Sequence, residues 1–476
     1  MPEHPLETIL HPKSIAVVGA SGDSSSRGNS FFQHLIEYGY KGEIYPVNPK
    51  YSEISNIKAY PNVKAIPGPV DFVISCVPSH AVLNMLDDCG QKGVKAVHLF
   101  TARFSETGRQ DATDLEYEVL NRARKFDIRL IGPNCMGLYN PKEGISFAYD
   151  LPRESGSVGL ISQSGGGAAI YVNLASMRGM RFSKVISYGN GLDLNESDYL
   201  DYFARDPETK IITMYVEGIR DGQRFMASLR RAASLKPVII TKAGRGKAGV
   251  KAAASHTASL AGAIKTWETV VDQAGAISAI DLEEMTDIAA SFYFLPPIPG
   301  PRIGISGGGG GPSVLAADEC EEEGLDVLPL PTEMREELKT KAPLVWDWVG
   351  NPVDVSILGG FGLTGTGMLE MMATNNHFDL LMGNISEVPL ANKEATQVRL
   401  MKEIEGYIAI KKAYPKPLLM VIGEKSLGIE DYSHWRWRLT GEIRTELIKA
   451  DIPVYPTVRR AAKAARKLID YYNRKV

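Results

Sequence analysis

One pattern constrains this chain more than any other. A short β-branched run, a Gly/Ser-rich turn and a helix-period stretch occur together three times. The first copy is SIAVVGASGDSSSRGNSFFQHLIEYG from Ser14, the second SVGLISQSGGGAAIYVNLASMRG from Ser157, and the third RIGISGGGGGPSVLAADECEEEG from Arg302. The copies share a plan without sharing sequence, so they read as three α/β units rather than a solenoid repeat. Apolar runs such as DFVIS, KAVHLF, RLIG, KIITMYVEG, PVIITKAG and FDLLMGN read as buried parallel strands between them. The expected class is α/β with parallel sheets. A turn-rich stretch, NPKEGISFAYDLPRESGS from Asn140, and LPPIPGP from Leu295 mark the breaks. The prolines of the second predict an extended linker, because proline fixes φ and cannot continue a helix. The expected domains are therefore 1–140, 150–295 and 300–476.

Composition narrows the function class. The 476 residues carry a net charge of −3, so no global field draws nucleic acid or an anionic membrane. Four separated cysteines, Cys76, Cys89, Cys135 and Cys320, form no CxxC pair, which suits a reducing compartment and offers no zinc knuckle. The N-terminal stretch lacks an apolar signal core, and no apolar run is long enough to span a bilayer. A cytoplasmic location is the expectation. The C-terminal stretch from Val458 has seven basic residues, but Val458, Ala461, Ala465, Leu468 and Tyr472 follow helical spacing. It reads as a surface helix with a solvated basic face.

The first glycine loop holds Gly19, Ser21, Gly22 and Gly28 ahead of a helix expected near Asn29. Glycines allow close backbone approach, and a helix N-terminus favours an anion. The loop departs from G-x-G-x-x-G at Ser21. The next strand, EIYPVNPKY, ends in Asn48, Pro49 and Lys50, where a dinucleotide fold wants an acid. Lys50 suits an additional phosphate, such as the ribose 3′-phosphate of coenzyme A. A ligand-free tight turn and NAD(P) binding are the alternatives. Val77-Pro78 after DFVIS, and Gly132 to Gly137 (GPNCMG, with Asn134 and Cys135) after RLI, fall where strand ends should line the same crevice.

The second loop, Ser162, Gln163, Ser164, Gly165 and Gly166, opens another helix and is a candidate anion site, with N–H groups and hydroxyls as donors. His256 sits in GRGKAGVKAAASHTASLAGA, a stretch with almost no core-forming residues. Such a loop can carry a side chain between sites, and its histidine can act as a nucleophile towards phosphorus. A solvated loop histidine is the alternative. Glu217 ends the strand KIITMYVEG, from which it could hold an imidazole nitrogen or simply face water.

Together these segments resemble the α subunit of the NDP-forming acyl-CoA synthetases, notably acetate–CoA ligase (ADP-forming), relatives of succinyl-CoA synthetase. The carriers are GASGD (19–23), YPVNPK (45–50), GPNCMG (132–137), SQSGG (162–166), YVEGIRDG (215–222), SHTASLAG (255–262), SGGGGGPSVLAAD (306–318) and NPVDV (351–355). Each is weak alone; eight in family order span nearly the whole chain. The resemblance implies a Rossmann-like CoA-binding domain followed by two flavodoxin-like domains. It implies thioester cleavage by phosphate to an acyl phosphate, transfer to a loop histidine, and delivery to ADP. By position, His256 becomes the phosphorylated residue and Glu217 its supporting acid. Ser162 to Gly166 would bind phosphate. Gly19, Ser21, Gly22, Lys50, Val77 and Pro78 would line CoA, with Asn134 and Cys135 near its thiol end. Residues 187–200 would border the acyl pocket. ADP/ATP with Mg2+ would be held by a separate ATP-grasp β subunit, in an α2β2 assembly. Ala258 departs from the family loop, where glycine is usual. A non-catalytic CoA or acyl-CoA binder and an NAD(P)-dependent oxidoreductase are the competing readings.

Overall fold

The computed structural model describes residues 4–249, 251, 264–385, 392–423 and 431–474. Among these, three mainly parallel sheets take up the three recurring units. By compactness the chain divides into two units, Met1–Met285 and Thr286–Val476.

In the first unit, strands β1 (Ser14–Val18), β2 (Glu43–Val47), β5 (Phe72–Ser75), β6 (Ala96–Leu99) and β7 (Arg129–Ile131) form a parallel sheet ordered β2-β1-β5-β6-β7. A small antiparallel pair, β3 (Glu53–Ile54) and β4 (Ile57–Lys58), follows β2. Beyond it Tyr60 makes one parallel bridge to Val47, where the outer strand of a Rossmann sheet would run. Every residue of β1 is buried, as expected for a parallel strand covered on both faces. The order reverses at β1, so the loops after β1 and β5 face one crevice.

The second sheet contains β8 (Gly137–Tyr139), β9 (Val158–Ser162), β10 (Phe182–Ser187), β11 (Ile211–Val216), β12 (Val238–Lys242) and β13 (Ile277–Ala279), ordered β13-β12-β11-β9-β10-β8. Without antiparallel β8 this is the flavodoxin order, with its switch point between β9 and β11. β8 follows the first sheet directly in sequence yet pairs with β10, joining the two sheets without a linker.

The second unit is built on β14 (Ile303–Gly307), β15 (Leu380–Ile385), β16 (Leu418–Ile422) and β17 (Val454–Tyr455), all parallel. Bridges Arg302–Asp326 and Ser306–Val353 lie beside β14, a second flavodoxin strand reduced to two contacts. The helix Val458–Asn473 buries Val458, Ala461, Ala465 and Leu468, the apolar stripe legible in the sequence. The LPPIPGP segment has no regular structure, as its prolines require. It is not a bare linker, however: Leu295 and Ile298 pack into the second unit's core.

Candidate functional site

The first cradle forms where β1 turns into the helix Arg27–Glu37. The sequence places that helix near Asn29. It begins two residues earlier because Ser26 caps it, accepting from Asn29 N at 3.1 Å. Gly28 therefore lies in the first turn, and a Cβ there would sit 1.9 Å from the Gly19 oxygen. Asn48 at the end of β2 donates to Ala20 O at 2.7 Å, and Asn29 donates to Ser21 O at 2.7 Å. These two amides hold the loop from both sides. The Ser21 hydroxyl accepts from Asp23 N, so it supports the turn. Lys50 is exposed just beyond the strand end. Val77 and exposed Pro78 follow β5, and the Val77 carbonyl accepts from the Thr101 hydroxyl at 2.6 Å. The opening is bounded by backbone and by a lysine, with no carboxylate at the end of β2.

The Gly132–Gly137 turn is clamped on every side. Asn134 N donates to Thr101 O at 2.9 Å, Asn190 N to Pro133 O at 3.0 Å, and Leu192 N to Gly132 O at 3.0 Å. The His98 imidazole meets Cys135 O at 3.0 Å. The Cys135 thiol lies against Leu99 O at 3.8 Å, and burial pushes its pKa well above the thiol range. It is a poor nucleophile there. Met136 reaches across to the second cradle: a Cβ on Gly165 would meet its Cγ at 2.5 Å. The Gly132–Gly137 turn and the second glycine loop are thus neighbours.

The second cradle opens the helix Gly165–Met177 at the end of β9. Its N-cap Ser164 accepts from Gly167 N at 3.1 Å, and Ser162 Oγ donates to Ser164 O at 2.7 Å. Both hydroxyls are therefore spent inside the loop, and Ser162 is fully buried. The donors that point outward are the first-turn N–H groups at Gly165 and Gly166. Gln163 spans the switch point: its Oε1 accepts from Glu217 N at 2.7 Å and Gly218 N at 3.1 Å. That clamp is not legible in the sequence, because its partners lie 54 and 55 residues away on another strand's end.

Glu217 is not the solvated strand-end acid that local sequence allows; it is 6% exposed. Tyr215 donates to its Oε1 at 3.5 Å. Burial, and then the Glu217 charge, push the Tyr215 pKa up to about 12. Lys242, at the end of β12, donates to Glu217 O at 2.8 Å and Ala243 O at 3.0 Å. Burial lowers the Lys242 pKa while Glu217 opposes that shift. An anionic acceptor, a buried ammonium and two helix N–H groups thus converge on one switch point, an arrangement suited to a phosphoryl group beside a hydrogen-bonded base. His256 lies outside the described residues. No group of three or more His, Cys, Asp or Glu that could hold a metal occurs among the described residues.

Two family models match: a CoA binding domain over residues 13–141 and a succinyl-CoA ligase like flavodoxin domain over 155–292. The chain is 41% identical over 351 residues, 74% of its length, to the subunit alpha of acetate–CoA ligase [ADP-forming] II from Pyrococcus furiosus, covering 76% of that protein. The chain belongs to the NDP-forming acyl-CoA synthetases. An acetate–CoA ligase [ADP-forming] from Methanocaldococcus jannaschii is 38% identical over 355 residues, and this chain spans about half of it, 49%. The dinucleotide forming acetyl-coenzyme A synthetase 1 of Ca. Korarchaeum cryptofilum, solved with phosphate and ADP, superposes with a TM-score of 0.82 at 31% identity, over 98% of this chain and 97% of that one. No helix among the described residues is long and apolar enough to cross a membrane.

Proposed function

We propose that this chain is the CoA-binding, phosphoryl-relaying α component of an ADP-forming acid–CoA ligase. The observation that carries the reading is the Gln163 clamp, which seats Glu217 beside the helix N-terminus at Gly165 and Gly166. CoA lies along the first crevice, against Gly19, Ser21, Gly22, Val77 and Pro78, with Lys50 meeting a phosphate and its thiol end at the Asn134–Cys135 turn. Phosphate, held by the N–H groups of Gly165 and Gly166 within the Ser162–Gly166 loop, attacks the acyl carbon. The C–S bond breaks, giving an acyl phosphate and the CoA thiolate, which takes a proton. His256 then attacks phosphorus, releasing the carboxylic acid as its anion and becoming phosphohistidine. Glu217 accepts a hydrogen bond from the opposite imidazole nitrogen and stabilises the cationic ring. ADP, held with Mg2+ on an ATP-grasp partner, receives the phosphoryl group. The Pyrococcus furiosus relative, named a subunit alpha, supports a separate partner, and an α2β2 assembly follows by that analogy. The three blocks 1–140, 150–295 and 300–476 serve as the working domains, with β8 at the end of the first pairing into the sheet of the second.

The test is labelling with radioactive phosphate in the presence of acyl-CoA. Wild type should acquire an acid-labile, base-stable label on His256. His256→Ala should lose it and keep CoA affinity, while Glu217→Gln should label at least about a hundredfold more slowly, the low end for a catalytic acid–base group. Equal labelling in His256→Ala would remove this histidine from the reaction.

A further inference from the structure

One peptide bond in the Gly132–Gly137 turn is held from two sheets at once. The Cys135 carbonyl meets His98 Nε2 at 3.0 Å, and His98 lies in β6 of the first sheet. The amide of the same peptide, Met136 N, donates to Ser187 Oγ at 3.2 Å, and Ser187 ends β10 of the second sheet. Ser187 pairs in register with Ser162, the residue at which β9 enters the second cradle. The Met136 side chain, just past this peptide, approaches Gly165 in the first turn of that cradle's helix. A path of named contacts therefore runs from β6 through the 135–136 peptide to the phosphate cradle.

Both side chains are closed in: His98 is 1% exposed and Ser187 is fully buried. A carbonyl only accepts, so Nε2 carries the imidazole hydrogen and donates it. Nδ1 is buried with no hydrogen-bond partner among the described residues. A protonated ring would bury a second N–H without an acceptor, which is costly. Burial accordingly pushes the His98 pKa down to about 4, although the bond to Cys135 O opposes that shift. The ring stays neutral, with one donor aimed at the turn. Its place is fixed by packing: Phe31 meets it edge-on at 5.5 Å, and a Cβ on Gly137 would sit 2.6 Å from Nδ1. The ties at Gly132 O, Pro133 O and Asn134 N run backbone to backbone. His98 and Ser187 offer side chains through which the turn's position can be changed.

We propose that His98 is a positioning residue for thioester cleavage: with Ser187 it fixes the turn that receives the thiol end of CoA relative to the phosphate cradle at Gly165 and Gly166. The proposal rests on the CoA and phosphate sites proposed above and deepens them by naming what aligns them. His98 itself touches neither ligand. Attack of phosphate on the acyl carbon needs both sites in line, and a misplacement of about 1 Å can cost on the order of a hundredfold in rate. Exchange of the phosphoryl group between His256 and the nucleotide does not involve the CoA turn and does not need that alignment.

The test compares two routes to the labelled histidine in the chain assembled with its ATP-grasp partner. One route starts from radioactive phosphate and the acyl-CoA that wild type uses fastest, from a panel beginning with acetyl-CoA. The other starts from γ-labelled ATP with Mg2+. In His98→Leu the acyl-CoA route should slow at least about tenfold. The ATP route should keep its wild-type rate, and CoA affinity by calorimetry should stay within about threefold. His98→Gln, which restores an N–H donor at similar reach, should recover most of the lost rate. Ser187→Ala should reproduce the defect, and combining it with His98→Leu should slow the route by much less than the product of the two, because both act on one peptide. Should His98→Leu misfold, Ser187→Ala carries the same comparison. Equal slowing of both routes overturns the proposal, and so does an acyl-CoA route that keeps its rate or a Gln variant as slow as the Leu variant. A wild type that binds no CoA, or takes no label from any acyl-CoA, sinks the proposed function first, and this proposal with it.

Discussion

Gly28 is constrained by one distance. With 1.9 Å between a hypothetical Cβ and the Gly19 oxygen, no side chain fits unless the helix backs away from β1. That close approach is what lets the helix N-terminus face the crevice. Gly28→Ala should therefore destabilise the protein by about 1–3 kcal/mol, the usual cost of overpacking, and weaken CoA binding beyond what instability explains. Thermal melts paired with CoA calorimetry check it; an unchanged melt would show that the turn is looser than its geometry. The sequence marked Gly28 as a loop residue, and the reason it belongs to the helix is the Ser26 cap, which fits Ser-Arg-Gly-Asn only once the backbone is folded. Cys135 is a similar case. Its thiol is packed against Leu99 O, a residue one strand away, a contact that GPNCMG itself does not encode.

Among the elements, β10 carries the least expected group. Lys184 is fully buried, 3.1 Å from Asp206 and 2.5 Å from Glu208, which also pairs with Lys142. Partial burial works against the Glu208 charge, but hydrogen bonds from Lys142 and Lys184 outweigh it and bring its pKa down to about 2. A carboxyl depressed in the folded state stabilises above its unfolded value and loses that contribution as pH falls towards the folded one. The link should thus weaken between about pH 4 and pH 2. Lys184→Met leaves Asp206 buried without its cation and should cost about 3–5 kcal/mol, moving acid unfolding to higher pH. Circular dichroism across an acid titration decides it; coincident curves would mean the pair is idle. β10, FSKVIS, sets this lysine among buried neighbours, and its two acids lie 22 and 24 residues away in sequence, so no local pattern pairs them.

For the molecule as a whole, the expected behaviour is that of an incomplete machine. The purified chain should bind CoA yet make no ATP from acyl-CoA, ADP and phosphate, and an ATP-grasp subunit should restore turnover. ATP synthesis by the chain alone would contradict the division of labour proposed above. How much of this could be seen beforehand follows from the range of the interactions. The strands DFVIS, KIITMYVEG and PVIITKAG, the glycine turns after them and the α/β class are local properties: apolar runs long enough for buried parallel strands, punctuated by residues that tolerate tight turns. The ends of β1 and β9, and so the two cradles, followed from those same patterns. What tertiary structure alone decided is which distant groups meet. Strand order, not sequence order, sets Gln163 against Glu217 and Met136 against Gly165, and brings the separate loops of Leu192 and Arg220 to one cavity with Glu116. Side-chain amides, carboxylates and thioethers look alike on paper whether they face water or one another. Their roles here come from burial and register, which no stretch of neighbouring residues encodes.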